Sequence, residues 1–288
     1  MYNITYNLKI VTPVYCKGSD NRKVELRPAS ITSIKGMMRY WFRALTAERD
    51  LNELHKKENK IFGSTKNASK FAIRIRDINL INKKNNLEDY YLLPHNEKKR
   101  NENPVPIKVL KSGLSFNLEF IFKSFEEELI DNVKDVFTLS LLLGGVGQRS
   151  RRGFGSIRDK NCKFDNKEEL LKKIAGILQD FGRQVEVKDG EYIRVVDNQR
   201  YSYPVIKEIY IGKPEANFEK MLEKIGQASK KDKSLGSINP TRMASPVYVT
   251  VVKIKDDYYP LITKLEPIYP EGIEGNVEVL EKFIDELR

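Results

Sequence analysis

Residues 144–156 read "GGVGQRSRRGFGS", and these thirteen positions hold five of the chain's 17 glycines together with Arg149, Arg151 and Arg152. What flanks this stretch sets the fold. Upstream, "SFEEELIDNVKDVFTLSLLLGG" (124–145) has apolar residues at helical spacing. Phe125, Leu129, Val133, Val136, Ser140 and Leu143 fall along one side. Ser124 and Glu127 suit a capping box, and three glutamates sit in the first turn, where the helix dipole favours them. Gly144 and Gly145 then stand where a helix ending wants a left-handed residue. Downstream, "FGSIRD" (154–159) is suited to return as a strand.

Further out, Ile4, Tyr6, Leu8 and Ile10 alternate with polar residues as a first strand. A basic loop over 12–30 leads to "ITSIKGMMRYWFRALTAERD". There Ile34, Met38, Trp41 and Leu45 form an apolar helical stripe, with Ser33 as N-cap. "FAIRIRDINLI" (71–81) and "LSFNLEFIF" (114–122) read as strands, separated by a polar, mobile segment at 82–104 in which Tyr90 to Leu93 could dock. The element order is β-α-β-β-α-β, that of the ferredoxin-like split unit whose four-stranded sheet is shared with RNA-recognition domains.

The second half reads as a helix at 167–182, a strand in "YPVIKEIYI" and a helix in "NFEKMLEKIGQ". "PVYVTVVKI" and "YYPLITKLE" make a hairpin about Asp256–Asp257, and "VEVLEKFIDEL" makes a terminal helix. This is a second such unit without an evident last strand, which "RQVEVKD" could supply. The expected fold is therefore α+β, with two ferredoxin-like (RRM-like) domains at 1–160 and 161–288, the second incomplete or elaborated.

The 288 residues carry a net charge of +11, which suits an anionic partner, nucleic acid above all, or simply solubility. Two cysteines and two histidines leave no disulfide framework and no zinc site. The N-terminus lacks signal-peptide anatomy and no apolar run is long enough to span a bilayer, so a reducing cytoplasm is expected.

Glycine lets backbone N–H groups approach a ligand, and arginine offers a planar fork of donors to phosphate. Gln148, Ser150 and Ser156 add neutral donors, so the 144–156 loop reads as a cradle for a sugar–phosphate chain. The alternative is a helix cap with solvated charges, which leaves Gly153 and Gly155 on either side of Phe154 unexplained. The stretch is neither a P-loop nor GxGxxG. Lys35, Arg39 and Arg43, four apart on the first helix, either extend the cationic track or form a solvated face, and Gly36 beside them permits close approach. Catalysis has little support: His55 and His95 lie in polar surroundings, and no carboxylate pair or metal-ligand spacing stands out. Tyr201, Tyr203, Tyr258 and Tyr259 could stack on bases or pack on sheets.

Four stretches in this order carry a resemblance. "SIKGMMRYWFRAL" (33–45), "IFGS" (61–64), the glycine–arginine loop and "RMASPVYV" (242–249) resemble the RAMP superfamily of CRISPR proteins. They are similar to the branch of the first-numbered RAMP subunit of the type III-B, or Cmr, RNA-targeting complex. The resemblance implies two ferredoxin-like domains and a non-catalytic, single-stranded RNA-binding role near the guide's 3′ region of an antiviral effector complex. Other RAMP subunits would be partners, target cleavage would belong to them, and neither cofactor nor metal nor membrane would be involved. It places Ser33, Lys35, Gly36 and Arg39 in the helix-start motif, Gly145, Gly147, Arg149, Arg151, Arg152, Gly153 and Gly155 in the loop motif, and Arg242 and Ser245 in the late motif. The RNA-binding set expected is thus Lys35, Gly36, Arg39, Arg43, Gly145, Gly147, Gln148, Arg149, Ser150, Arg151, Arg152, Gly153, Phe154 and Arg242. The second half has no such loop of its own. A guide-processing endoribonuclease on this type of fold, or a structural subunit without RNA contact, are the alternatives.

Overall fold

The computed structural model describes residues 1–16, 28–76, 84–91, 106–229, 232–237 and 241–288. The chain is mixed α+β, built on antiparallel sheets. The first sheet has the order β2-β5-β1-β6, from β1 (Tyr2–Ile10), β2 (Phe71–Arg76), β5 (Ser115–Phe122) and β6 (Ile157–Asp159). Leu8 pairs with Phe116 on one side and Asp159 on the other. The period-2 pattern holds: Leu8 and Ile10 are buried, Asn7 and Lys9 exposed.

Helices α1 (Pro28–Thr46), α2 (Leu51–Phe62) and α3 (Glu127–Leu143) accompany this sheet. The stripe Ile34, Met38, Trp41 and Leu45 is fully buried. Ser33 is not a cap, because α1 already begins at Pro28, whose fixed φ suits a first helical position. Ser124 does not cap α3 either. The N-cap position is Glu126, without a side-chain cap bond, and Ser124 donates to the Glu126 carboxylate at 2.8 Å. Phe125 lies outside the helix and is 66% exposed. Gly144 ends α3 in an extended conformation instead of a left-handed one. Glycine is needed there for space: a Cβ would stand 2.4 Å from Trp41 Nε1.

The second sheet has the order β10-β11-β9-β8-β7, from β7 (Val185–Lys188), β8 (Tyr192–Val195), β9 (Ile206–Ile211), β10 (Val247–Ile254) and β11 (Asp257–Leu265). The donated strand from "RQVEVKD" exists as β7, but β8 separates it from β9. Helices α4 (Lys167–Asp180), α5 (Phe218–Ala228) and α6 (Val277–Leu287) complete this half. The expected mobile segment is partly a small hairpin: β3 (Leu87–Tyr90) pairs with β4 (Ile107–Leu110), and the Tyr90 ring meets Phe154 edge-on at 5.8 Å. Residues 92–104, with His95, lie outside the described residues, as do 17–27 of the basic loop and 238–240.

One apolar cluster runs through both halves, from Leu8, Trp41 and Phe120 through Leu142 and Ile174 to Ile209 and Leu261. A second gathers Phe154, Leu222, Val249, Val251 and Phe283. Buried arginines fasten the halves. Arg158 donates to the carbonyls of Leu141 and Leu142, which the end of α3 leaves without helical partners, and to Val251 of β10. Arg183 bonds the carbonyls of Leu45 and Ile206 and pairs with Asp197 at 3.2 Å.

Candidate nucleic-acid interface

After α3 the glycine–arginine loop turns back between the halves. Gln148 N–H donates to Tyr15 O at 2.9 Å and Gly155 N–H to Pro13 O at 2.9 Å. Gly155 has φ +67°, and a Cβ there would overlap Val146 O, so only glycine fits. The loop then runs beside β10. Gly153 N–H donates to Val249 O at 2.8 Å, and Val249 N–H donates to Arg151 O at 3.2 Å. Ser156 Oγ accepts from Val251 N–H at 3.0 Å.

A cleft of about 410 Å³ opens between this loop, α1 and β10. Ser33, Met37 and Tyr40 form the helical wall, and Gly145, Gly147, Gln148, Ser150 and Arg151 form the loop wall. The Arg151 guanidinium lies 5.0 Å from the rings of both Tyr40 and Tyr248 and donates to Ser245 O at 2.7 Å. No carboxylate pairs with it among the described residues. Tyr248 donates to Ser150 Oγ at 2.8 Å. Burial pushes the Tyr40 and Tyr248 phenols up, against the opposing pull of Arg151, so both stay protonated at neutral pH. Arg149 holds φ +58°, its Nε is buried without a partner, and burial lowers its pKa.

Several expected residues fall elsewhere. Arg152 is a fastening: it donates to Leu235 O at 2.6 Å, Val247 O at 3.0 Å and Arg151 O at 2.9 Å, and covers the Phe283 ring at 5.1 Å. Burial, then Arg149 and Arg151, push it down to about 9. Gly153 is buried against Leu222, Ile225 and Val251, and Phe154 is a core side chain 2% exposed. The glycines about Phe154, which a helix cap left unexplained, serve this packing. Neither residue can touch a ligand.

Lys35 and Arg39 lie on the face of α1 turned away from the cleft, since at 100° per residue positions 35 and 39 are each about 160° from position 37, while Arg43, about 60° from Tyr40, flanks the cleft wall. Arg39 pairs with Glu58 of α2 at 2.7 Å and bonds the carbonyls of Phe62 and Gly63. Arg43 meets the same carboxylate at 3.2 Å. Glu58 is 4% exposed against 30% and 37% for its arginines, so α2 engages both arginines and offsets one of the track's charges. The Lys35 ammonium sits 5.0 Å over Phe71 on that side, and Gly36 is exposed with open space about it. Neither Arg242, which is exposed, nor Ser245, which is buried, lines the cleft; the Ser245 carbonyl accepts from Arg151. His55 is exposed on α2. Tyr201 and Tyr203 donate to Asp197 and to Glu48 O, as packing residues do.

Tyr15, Met37, Tyr40 and Tyr248 were not singled out from sequence as parts of the site. Tyr40 carried one signal, standing seven residues after Ser33, on the same face of the helix.

The sequence model of the RAMP superfamily matches residues 7–158. Two proteins of Pyrococcus furiosus are similar. CRISPR system Cmr subunit Cmr1-2 is 30% identical in a 185-residue alignment that covers 55% of this chain and 95% of that one. Subunit Cmr1-1 is 31% identical in a 170-residue alignment that covers 54% of this chain and 46% of that one. Among solved structures, apo Cmr1 from Pyrococcus furiosus superposes with a TM-score of 0.66 at 19% identity, covering 100% of this chain and 97% of that one. A chain of the type III-B Cmr-beta complex bound to cognate target RNA gives 0.62 at 14% identity, covering 99% of both. With the family match spanning β1 to β6, over half of its length, the chain belongs to the RAMP superfamily.

Proposed function

We propose that the chain is a non-catalytic, single-stranded RNA-binding subunit of a type III-B CRISPR effector complex, acting near the guide's 3′ region beside other RAMP subunits. Each half is read as a ferredoxin-like unit, 1–160 and 161–288. The strand order β2-β5-β1-β6 supports the first, and a permuted equivalent in which β8 takes the last place supports the second. The observation that carries the RNA reading is the cleft itself: a guanidinium without a carboxylate, two protonated phenols and a glycine-lined backbone converge on one space.

Phosphate can displace water around Arg151, and a base can stack on the tyrosine rings. Among the described residues the lining holds neither imidazole nor carboxylate, which favours binding over strand cleavage. The test is RNA binding by the chain alone at graded salt. Each phosphate engaged steepens the fall of log affinity against log salt by about 0.7. Arg151→Ala weakens binding to unrelated sequences alike, and precursor RNA stays uncut. A slope near zero, or discrete RNA fragments, defeats the reading.

A further inference from the structure

A second cleft, of about 710 Å³, lies on another side of the molecule. Its walls are the solvent face of β1 at Asn7 and Lys9, the segment Arg158–Asp165 that continues from the glycine loop, and the end of the β10–β11 hairpin. Five exposed lysines line it: Lys9, Lys160, Lys163, Lys253 and Lys255. Asp159 and Asp165 are the acids of its lining. Among the described residues Lys253 meets a carboxylate only at 4.0 Å, that of the exposed Asp256, and the other four form no ion pair. Arg158 sits at the floor, held by carbonyl oxygens, with its Nε buried and unpartnered. Tyr258, half-buried, stands on one wall with the Lys253 ammonium 5.3 Å over its ring, and Phe164 is half-buried beside them.

Six cations in one concave lining repel one another, and low-dielectric walls focus their field on whatever enters. The charges come from three separate segments, so their convergence is a product of the fold and not of a basic run. We propose that this cleft is a second nucleic-acid groove, which takes the phosphate backbone of single-stranded RNA and stacks a base against Tyr258. The aromatic walls between spaced ammonium groups favour RNA over an acidic protein segment, which would use the charges and leave the rings idle. The inference rests on the reading of the chain as an RNA binder, but on none of the residues of the first cleft.

The test uses the full chain with Lys9, Lys160, Lys163 and Lys255 all changed to alanine. None of the four has an ion-pair partner to lose among the described residues, and circular dichroism checks the fold. Labelled oligouridylate is titrated at graded salt against this variant, against Arg151→Ala and against the unaltered chain. Losing four phosphate contacts flattens the salt slope by about 2.8. Bound oligouridylate also protects the four lysines of the unaltered chain from acetylation, and it still does so in Arg151→Ala. An unchanged slope with unprotected lysines overturns the groove. So does an unchanged slope together with lost binding of polyglutamate, which would assign the cleft to an acidic protein. If Arg151→Ala alone weakens binding, the groove falls and the first cleft stands; if the lysine variant alone does, the reverse holds.

Discussion

Arg149 adopts a left-handed conformation that costs a residue with a Cβ about 1–2 kcal/mol. Gly147, Gly153 and Gly155 nearby adopt positive φ without that cost. An arginine kept at such a position points to a use for its side chain. Arg149→Gly is expected to raise the unfolding midpoint in urea by about 1 kcal/mol equivalent while lowering affinity for single-stranded RNA. Its neighbours divide differently. Arg152→Ala takes the guanidinium donor from Leu235 O and Val247 O and removes the cover from Phe283, so it should destabilise by about 3 kcal/mol. Any loss of RNA binding in that variant should track the unfolded fraction, whereas in Arg151→Ala the fold persists and binding weakens. Equal urea midpoints for Arg152→Ala and the unaltered chain would remove its fastening role. The triplet Arg149, Arg151 and Arg152 looks uniform in sequence. What separates its members is which carbonyls lie within reach, and those belong to residues 83 to 95 positions away.

At the scale of elements, α1 shows which patterns local sequence determines. Its buried stripe and the burial pattern of β1 follow from periodicity alone. Its charged face does not, because the fate of Arg39 and Arg43 depends on Glu58, one turn before Ile61 and Phe62 on a helix that sequence periodicity left unassigned. Glu58→Gln keeps the shape and removes the charge. Because both arginines are about a third exposed, the loss is smaller than for a fully buried pair, about 2 kcal/mol in thermal or urea unfolding. RNA affinity should stay unchanged, since these arginines already belong to α2. Tighter RNA binding on releasing them would restore the cationic track. Helix ends were the least legible feature. Ser33 and Ser124 have the right chemistry for caps, but Pro28 and Glu126 occupy the starting positions. Strands β4 and β8, four residues each, are too short for their alternation to stand out.

For the whole molecule, the order of elements was readable and their fusion was not. The principal apolar cluster crosses from the first sheet into the second, and Arg158 and Arg183 bond across the same divide. Residues 1–160 expressed alone should therefore expose the apolar surface of α3 that meets α4 and β10. They should bind a hydrophobic dye and lack a cooperative unfolding transition. A sharp transition for that fragment would show that the halves fold independently. The number and type of strands can be read from alternating residues, but which faces two sheets share is set by contacts between distant segments.

The run of the glycine loop along β10 has one more consequence. Val247 O, Val249 N–H and O, and Val251 N–H and O are all engaged by Arg151–Arg158. An outermost strand normally offers such groups to any passing chain. Here that template is already occupied from within, so neighbours that join the second sheet by strand addition are steered to β7, at its far margin.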